Sequence, residues 1–331
     1  MRAQSIVQPD AIENGPLRAV DAPVPQPQPD ELLISVQACG VCRTDLQLAE
    51  GDLEARRLPL VPGHQIVGRV EALGSAVDGW EVGERAGAAW LAGACGVCRF
   101  CQSARENLCR EATFTGWDRD GGYAEFVAVR ADFALRVPAS FADLEAAPLL
   151  CGGVIGYRAL RVSEIEPGGR LGLYGFGASA ALAIQVAVHW GCEVFAVTRS
   201  HRQQERALEL GATWAGSYDE TPPQRLDAAI TFAPVGDAVV RALQALERGG
   251  TVAINAIHLD RMPQFDYDDL WWERQIRSVA NFTRRDAQEF LDLAAQIPIH
   301  TMPEPQPLDE ANEALHRLKV GETEGAPVLV P

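Results

Sequence analysis

Four cysteines lie within one short stretch of the sequence and are separated by two, two and seven residues; they are Cys95, Cys98, Cys101 and Cys109. Thiolates this close together can form a disulfide frame, an iron–sulfur cluster or a zinc site. Bacterial ferredoxins share the first two gaps, but their fourth cysteine follows after three residues and precedes a proline. Here the last gap is seven residues and Arg110 comes next. The spacing therefore favours a closed, structural zinc, which leaves no open position for a substrate.

The composition indicates a globular protein of more than one domain. The chain has 331 residues, of which 47% are hydrophobic and 22% are charged. This length exceeds the usual size of a single hydrophobic core, so two domains are expected. The formal net charge of −16 repels phosphate backbones, which makes nucleic acid an unfavourable partner.

The N-terminal residues lack the apolar core of a signal peptide. No run approaches the roughly 18 apolar residues that a transmembrane helix needs. We therefore expect a cytoplasmic protein without a membrane partner. Thiols stay reduced in the cytoplasm, so a tight cysteine cluster there indicates a metal site before it indicates disulfides.

Three further residues could form a reaction centre. Cys42 follows a strand-like segment and a glycine turn, His64 stands in "PGHQIVGRV", and Cys151 stands where an apolar run meets two glycines. Two cysteines and one histidine would leave a fourth position on a zinc ion open. Each residue alone is weak evidence, since a lone histidine or cysteine is usually part of ordinary packing. Spacing does not show that the three meet.

The middle of the chain has the clearest periodic pattern. "RLGLYGFGASAALAIQVAVHWGCEVFAVTRS" predicts a strand, a glycine turn, a helix and a second strand. Gly175, Gly177 and Ala180 occupy the positions at which a backbone approaches a pyrophosphate at a helix N-terminus. Strand and helix patterns then alternate, which predicts an α/β fold with a doubly wound parallel sheet. An α/β domain whose glycine turn binds nothing remains the alternative.

Taken together, these segments resemble the zinc-containing, medium-chain alcohol dehydrogenases over nearly the whole chain. The resemblance is carried, in order, by "CGVCRTD", "PGHQIVGRV", the four-cysteine stretch, "DGGYAEFVAV", "APLLCGG" and "GFGASA". It implies a GroES-like, β-rich catalytic domain over residues 1–151, with a structural-zinc lobe at about 93–112. It also implies a Rossmann nucleotide domain over 152–285 and a return of 286–331 to the catalytic domain.

The resemblance also implies roles for individual residues and two zinc ions per chain. Cys42, His64 and Cys151 match the catalytic-zinc ligands of the family, and the four clustered cysteines match its structural site. Asp45 matches the carboxylate that orients the zinc-bound histidine. Thr44 matches the hydroxyl that takes the alcohol proton, while hydride passes to a nicotinamide ring. Without the resemblance, Thr44 would be read as a turn residue bonded to its own backbone.

Two residues depart from the family pattern. Gln47 stands where many members have a histidine that passes the proton onward, and Gln65 replaces a glutamate beside the zinc-binding histidine. Neither is a zinc ligand, so metal binding and hydride transfer should survive. An amide does not titrate near neutral pH, so water or a ribose hydroxyl would complete the proton path.

The sequence favours NADP over NAD. The second strand of the nucleotide domain ends in Thr198, Arg199 and Ser200 without a carboxylate for the ribose 2′-hydroxyl. A 2′-phosphate would find two hydroxyls and a guanidinium there. The alternative is that these residues only cap the next helix, with Ser200 as its N-cap and Arg199 in solvent, which would leave NAD usable. The expected cofactor-binding residues are Arg43, Gly175, Gly177, Ala178, Ala180, Thr198, Arg199 and Ser200.

The substrate is the least determined part of this interpretation. Trp90 and Leu53 fall near family positions that line the substrate pocket, although core packing explains Trp90 equally well. An aromatic, apolar pocket suits primary alcohols and aldehydes, aliphatic or aromatic, and the family suggests a homodimer or homotetramer. Two alternatives stay open: a zinc-stabilised binding protein that has lost the chemistry, or another medium-chain reductase with a different carbonyl substrate. A zinc-free quinone or enoyl reductase should lack Cys42, His64 and the four-cysteine stretch.

Overall fold

The chain folds into two compact units, which we call unit 1 and unit 2. The computed structural model describes every residue from Met1 to Pro331. Unit 1 comprises residues 1–151 and 283–331, and unit 2 comprises residues 152–282. Unit 2 ends before the expected boundary at residue 285, because Thr283 already caps a helix of unit 1.

Unit 2 alternates helices and strands. Its elements are α4 (Gly152–Ser163), β10 (Arg170–Tyr174), α5 (Ala178–His189), β11 (Glu193–Val197), α6 (His201–Glu209), β12 (Trp214–Gly216), β13 (Leu226–Thr231), α7 (Gly236–Ala245), β14 (Leu246–Ile254), α8 (Tyr267–Leu270) and β15 (Gln275–Ser278). The six strands form one sheet in the order β12-β11-β10-β13-β14-β15, and every neighbouring pair is parallel. This strand order confirms the predicted doubly wound sheet.

The interior of unit 2 follows from the apolar character of its strands and helices. Residues such as Leu171, Leu173 and Val194 are fully buried, as in parallel strands that are covered on both faces. Helix α5 is apolar around most of its surface and packs against α4. The helix therefore begins on a buried scaffold, which holds the preceding glycine turn in place.

Unit 1 is rich in strands, as predicted. Its strands are β1 (Arg2–Ile6), β2 (Leu17–Asp21), β3 (Glu31–Gly40), β4 (Gln65–Leu73), β5 (Arg85–Ala88), β6 (Leu91–Gly93), β7 (Thr113–Phe114), β8 (Phe126–Arg130), β9 (Leu135–Arg136), β16 (Pro303–Pro307) and β17 (Ala326–Val330). Its helices are α1 (Arg43–Glu50), α2 (Arg99–Gln102), α3 (Asp143–Ala146), α9 (Arg284–Ala294) and α10 (Ala311–Val320). Single 3₁₀ turns lie at 12–14, 106–108, 147–150 and 308–310.

The main sheet of unit 1 combines strands from two distant parts of the chain. Its strands run in the order β16-β17-β3-β4-β5-β9, and β8 pairs with β3. Strand β17 lies antiparallel to β3, where Leu329 is opposite Cys39. Strand β8 buries every second residue, Val127 and Val129. This alternation is expected of a strand that has only one face in the core. The C-terminal strands β16 and β17 therefore extend a sheet whose other strands all lie within residues 31–136, whereas β1 and β2 form a separate pair.

None of the helices combines the length and the apolar character needed to cross a lipid bilayer.

Candidate metal centres and active site

Cys42 lies where strand β3 gives way to helix α1. It is the N-cap of α1, and its Sγ atom accepts a hydrogen bond from the backbone N–H of Thr44 at 3.3 Å. The carboxylate of Asp45 in turn accepts a hydrogen bond from the backbone N–H of Cys42 at 2.9 Å. These bonds satisfy donors that a helix start leaves unpaired, and they fix the thiol at the helix N-terminus.

His64 is held just before strand β4. Its Nδ1 atom lies 3.2 Å from Oδ1 of Asp45, and both side chains are almost completely buried. The preceding residue, Gly63, has φ +97°, a conformation that favours glycine. Because Nδ1 is engaged with the carboxylate, Nε2 is the ring nitrogen left for a ligand.

Cys151 completes the set, which we call the ligand cluster (Cys42, His64, Cys151). It follows the 3₁₀ turn at 147–150 and precedes helix α4. Its Sγ atom lies 3.4 Å from Nε2 of His64. The three ligand atoms all lie within 4.8 Å of one another. Residues far apart in the sequence therefore present two sulfurs and one nitrogen to a common centre, as a zinc ion with an open position requires.

The charges in the ligand cluster are strongly coupled. Burial opposes the charged form of His64, but the Asp45 carboxylate and the Cys42 thiolate outweigh it and raise the pKa of His64 to about 10. A hydrogen bond from the Cys151 thiol lowers the pKa of Cys42 well below its usual range, despite burial. The same hydrogen bond, together with burial, raises the pKa of Cys151. These shifts favour loss of the Cys42 proton before that of Cys151.

Asp45 is the centre of the hydrogen bonds around the ligand cluster. It is fully buried, and burial raises its pKa against the opposing charge of His64. Its two oxygens accept from the backbone of Cys42 and of Gly63, at 2.9 and 3.2 Å, besides facing His64. A fourth donor, the hydroxyl of Tyr123, lies 3.3 Å from Oδ2. Tyr123 stands in "DGGYAEFVAV", and no spacing or motif connects it with this carboxylate.

The other residues expected around the reaction centre lie on the same two elements. Thr44 is buried in the first turn of α1, directly after Arg43, whose side chain is exposed. Gln47 is half-buried one turn further along the helix. Gln65 begins β4 immediately after His64 and is 5% exposed. The structure therefore places Thr44 and Gln65 next to two members of the ligand cluster.

An aromatic stack adjoins the ligand cluster. Its members are Trp90, Phe114 and Trp117. The ring of Trp90 meets that of His64 edge-on, with 4.9 Å between centroids. Trp90 stacks on Phe114 and Trp117 with centroid separations of 5.4 and 5.7 Å. Trp90 thus lies directly beside His64, whereas Phe114 and Trp117 carry no sequence signal that connects them with the ligand cluster.

An arginine side chain packs on the last ring of the aromatic stack, Trp117. The Arg56 guanidinium lies 3.8 Å from the Trp117 ring centroid and bonds to both oxygens of Asp118 at 2.8 and 3.0 Å. The indole N–H of Trp117 donates to the carbonyl of Glu54 at 2.9 Å. Leu53 packs, like Trp117, against the core of unit 1. These contacts fix the orientation of the outer tryptophan.

The four clustered cysteines, which we call the cysteine lobe, converge as the spacing predicts. All four sulfurs lie within 4.8 Å of one another. The separations are 3.6 Å for Cys98–Cys101, 3.9 Å for Cys95–Cys101 and 3.5 Å for Cys95–Cys109. A tetrahedral ion with Zn–S bonds of about 2.3 Å places its sulfurs roughly 3.8 Å apart, whereas a disulfide requires about 2.05 Å. The donor set therefore fits a four-coordinate zinc.

The pKa values of two thiols in the cysteine lobe are shifted in opposite directions. The backbone N–H of Cys101 lowers the pKa of Cys98 to about 7. Burial raises the pKa of Cys101 to about 12. Nearby, the buried carboxylate of Glu106 accepts a hydrogen bond from the backbone N–H of Arg284 at 2.7 Å. The lobe is thereby fastened to the first turn of helix α9.

In unit 2, the glycine turn joins β10 to α5. Gly175 has φ +88°, and a Cβ added there would lie 2.8 Å from the backbone nitrogen of Ala233. Only glycine fits this crossing of two chain segments. Gly177 is the N-cap of α5, and a Cβ added there would meet nothing within 4 Å. Ala178 begins α5 and Ala180 is fully buried. The open space at Gly177 and the N-terminus of a long helix fit a pyrophosphate.

The end of strand β11 has the arrangement of the alternative interpretation, with Ser200 as a helix cap and Arg199 in solvent. Ser200 is the N-cap of α6, and its hydroxyl oxygen accepts from the backbone N–H of Gln203 at 3.4 Å. The buried Thr198 hydroxyl bonds to the Gln203 side chain at 2.6 Å. Arg199 is exposed and forms no ion pair. Both hydroxyls therefore already have partners, and Arg199 is the group of the three that is free for an anion.

Two family models match the chain. The alcohol dehydrogenase GroES-like domain matches residues 28–139, and the zinc-binding dehydrogenase domain matches residues 180–296. The chain is 50% identical to a probable alcohol dehydrogenase, AdhA, from Mycobacterium tuberculosis (strain CDC 1551 / Oshkosh), over 100% of this chain and 97% of that protein.

Two solved structures share the whole fold. A thermostable alcohol dehydrogenase from Pyrobaculum aerophilum, with cobalt and zinc bound, superposes with a TM-score of 0.89 at 27% identity, covering 100% of this chain and 99% of the other. A zinc-binding dehydrogenase from Sinorhizobium meliloti 1021, bound to NADP, superposes with a TM-score of 0.86 at 26% identity and the same coverage. The sequence match and the fold agree, and the chain belongs to the zinc-binding, medium-chain alcohol dehydrogenase family.

Proposed function

We propose that this protein interconverts primary alcohols and their aldehydes with NADP(H), using a zinc ion held by Cys42, His64 and Cys151. The observation that carries the proposal is the convergence of two sulfurs and one imidazole nitrogen within 4.8 Å of one another. A structural site would have four protein ligands, whereas three leave a position for substrate. The cysteine lobe is proposed to hold the second, structural zinc.

The residues around the ligand cluster supply orientation and a path for the proton. Zinc bound there acts as a Lewis acid that lowers the pKa of an alcohol hydroxyl. Asp45 fixes the tautomer of His64 through Nδ1. Thr44, buried beside Cys42, is proposed to accept the alcohol proton at its hydroxyl oxygen, and a bound nicotinamide would supply the hydride acceptor. Gln47 does not titrate near neutral pH, so water or a ribose hydroxyl would carry the proton onward.

Unit 2 is proposed to bind the nucleotide, and unit 1 to hold the catalytic residues. The turn at Gly175 and Gly177 and the N-terminus of α5 suit the pyrophosphate. Arg199 is proposed to bind the 2′-phosphate of NADP, since a guanidinium makes bidentate bonds to phosphate. The structurally similar protein from Sinorhizobium meliloti that binds NADP supports this preference. NAD would then be the weaker cosubstrate.

The aromatic stack supports an apolar substrate. Trp90 lies against His64, and its ring is proposed to form an apolar wall beside the bound substrate. We propose substrates without ionised groups, aliphatic or aromatic. Trp90 and Leu53 remain the proposed lining residues, and the expected cytoplasmic homodimer or homotetramer also stays a prediction.

A steady-state screen of alcohols and aldehydes against NADP(H) and NAD(H), on protein of measured zinc content, tests the proposal. We expect two zinc ions per chain and the highest kcat/KM for apolar primary alcohols or aldehydes with NADP(H). One zinc per chain and no turnover would instead support a zinc-stabilised binding protein. Turnover that is independent of zinc would support another medium-chain reductase.

A further inference from the structure

Tyr123 lies behind the ligand cluster, in the segment that precedes strand β8. Its side chain is completely buried. The segment runs along the loop that carries His64: the backbone N–H of Gly121 donates to Val61, that of Gly122 to Gly63 and that of Tyr123 to Pro62, at 2.7, 2.9 and 3.0 Å. The backbone around Tyr123 therefore holds the loop from which His64 projects.

The ring of Tyr123 also packs on that loop. A Cβ added at Gly63 would lie 2.3 Å from the ring and 2.9 Å from Sγ of Cys39. The ring occupies the space next to Gly63 that any other residue would fill. Its position is therefore fixed by packing before its hydroxyl forms any bond.

The hydroxyl of Tyr123 points at the carboxylate that orients His64. It donates to Oδ2 of Asp45 at 3.3 Å, while Oδ1 of Asp45 faces Nδ1 of His64 at 3.2 Å. Burial raises the pKa of Tyr123 well above its usual range, so the phenol stays a donor. A buried carboxylate with four donors has little freedom to rotate.

We propose that Tyr123 is a positioning residue for the catalytic zinc: through Asp45 it fixes the ring of His64 and so raises the zinc affinity of the ligand cluster. The inference rests on the proposed zinc role of that cluster. Groups that hydrogen-bond to a metal ligand from outside typically change metal affinity 10–100-fold. Tyr123 is one hydrogen bond further from the metal, because it bonds to Asp45 and not to His64 itself. We therefore expect its loss to weaken zinc binding roughly tenfold.

The test uses Tyr123→Phe, which removes the hydroxyl and keeps the ring. On full-length protein whose cysteine lobe retains its zinc, competition with a chelator measures the affinity of the emptied ligand cluster. Cobalt loaded into the same site reports its geometry by absorption. We expect roughly tenfold weaker zinc binding and a shifted cobalt spectrum. Tyr174→Phe, a buried tyrosine in unit 2, is the matched control and should change neither.

A double substitution separates positioning from a general loss of packing. In an Asp45→Asn background, Tyr123→Phe should have almost no further effect on zinc affinity, since both act through one carboxylate. Fully additive losses, or Tyr123→Phe protein with unchanged zinc affinity and cobalt spectrum, would overturn the inference. Wild-type protein that binds a single zinc would instead overturn the proposed function, so the two failures are distinguishable.

Discussion

Nδ1 of His64 lies 3.2 Å from Oδ1 of Asp45, and both side chains are almost completely buried. The two ring nitrogens therefore have different partners. Nδ1 contacts the carboxylate, which orients the ring, and Nε2 faces Sγ of Cys151 at 3.4 Å. Asp45 also accepts from the backbone of Cys42. One carboxylate thus ties together the helix start and the loop that carry two of the three proposed ligands.

Zinc binding to the emptied ligand cluster should release about two protons at pH 7.5. Without metal, His64 carries a proton because its pKa is raised to about 10, and Cys151 carries one because burial and its bond to Cys42 raise its pKa. Both must leave when the ligands bind metal. Zinc affinity should therefore rise with pH below about pH 10. Calorimetry in buffers of different ionisation enthalpy measures the number, and release of fewer than one proton would refute this protonation pattern.

Replacing Thr44 with valine should slow the chemical step without removing zinc. Valine keeps the shape of the buried side chain but not the hydroxyl that is proposed to accept the alcohol proton. Loss of general acid–base assistance typically costs 10²–10⁴-fold in rate. We expect a fall in kcat of about that size, partial recovery in Thr44→Ser, and two zinc ions in both variants. A Thr44→Val enzyme with wild-type kcat would remove Thr44 from the proton path.

Replacing Cys109 with serine should affect stability before it affects chemistry. A closed four-cysteine zinc contributes directly to folding, and the cysteine lobe is fastened to α9 through Glu106. We expect the loss of one zinc and a decrease in Tm of several degrees, with activity retained at low temperature. Cys192→Ser, which changes a buried cysteine of unit 2, should keep both zinc ions. A Cys109→Ser protein of unchanged Tm but no activity would show that the lobe is catalytic.

Replacing Arg199 with alanine should remove the preference for NADPH. The guanidinium is exposed and has no ion pair to break, so the substitution should leave the fold intact. A charge-assisted contact contributes about 1.5–3 kcal/mol, so kcat/KM for NADPH should fall roughly 10–100-fold while that for NADH changes little. Arg202→Ala, on the neighbouring helix α6, is the control. A wild-type preference for NADH would refute the assignment, as would an NADPH preference that survives Arg199→Ala.

The parts of the molecule that depend on local sequence were predictable. The spacing of the cysteine lobe predicted its convergence because the four thiols share one short loop, and the alternation after Gly175 predicted the parallel sheet. Contacts between distant segments were not predictable in this way. Tyr123 meets Asp45 across 78 positions, and Trp90, just before β6, stacks on Trp117, which follows β7. Neither pair has a spacing that periodicity could reveal.

The resemblance to a family supplied what spacing could not. Cys42, His64 and Cys151 belong to one set only because three separate segments fold together, and sequence position alone does not show it. At the end of β11 the sequence left two interpretations, and the structure has the arrangement of the helix-cap one: Ser200 caps α6 and Arg199 is exposed. Binding of a 2′-phosphate by Arg199 stays a prediction, and it is compatible with the cap because the two tasks would use different side chains.

Zinc content measured together with alcohol oxidation, in the wild type and in Cys42→Ala, tests the central claim most directly. Removing one of three ligands should empty the ligand cluster and leave the cysteine lobe loaded. We predict two zinc ions per chain and turnover in the wild type, and one zinc, no measurable turnover and an intact fold in Cys42→Ala. A Cys42→Ala protein that still oxidises alcohols at a near-normal rate would contradict the assignment of the ligand cluster as the reaction centre.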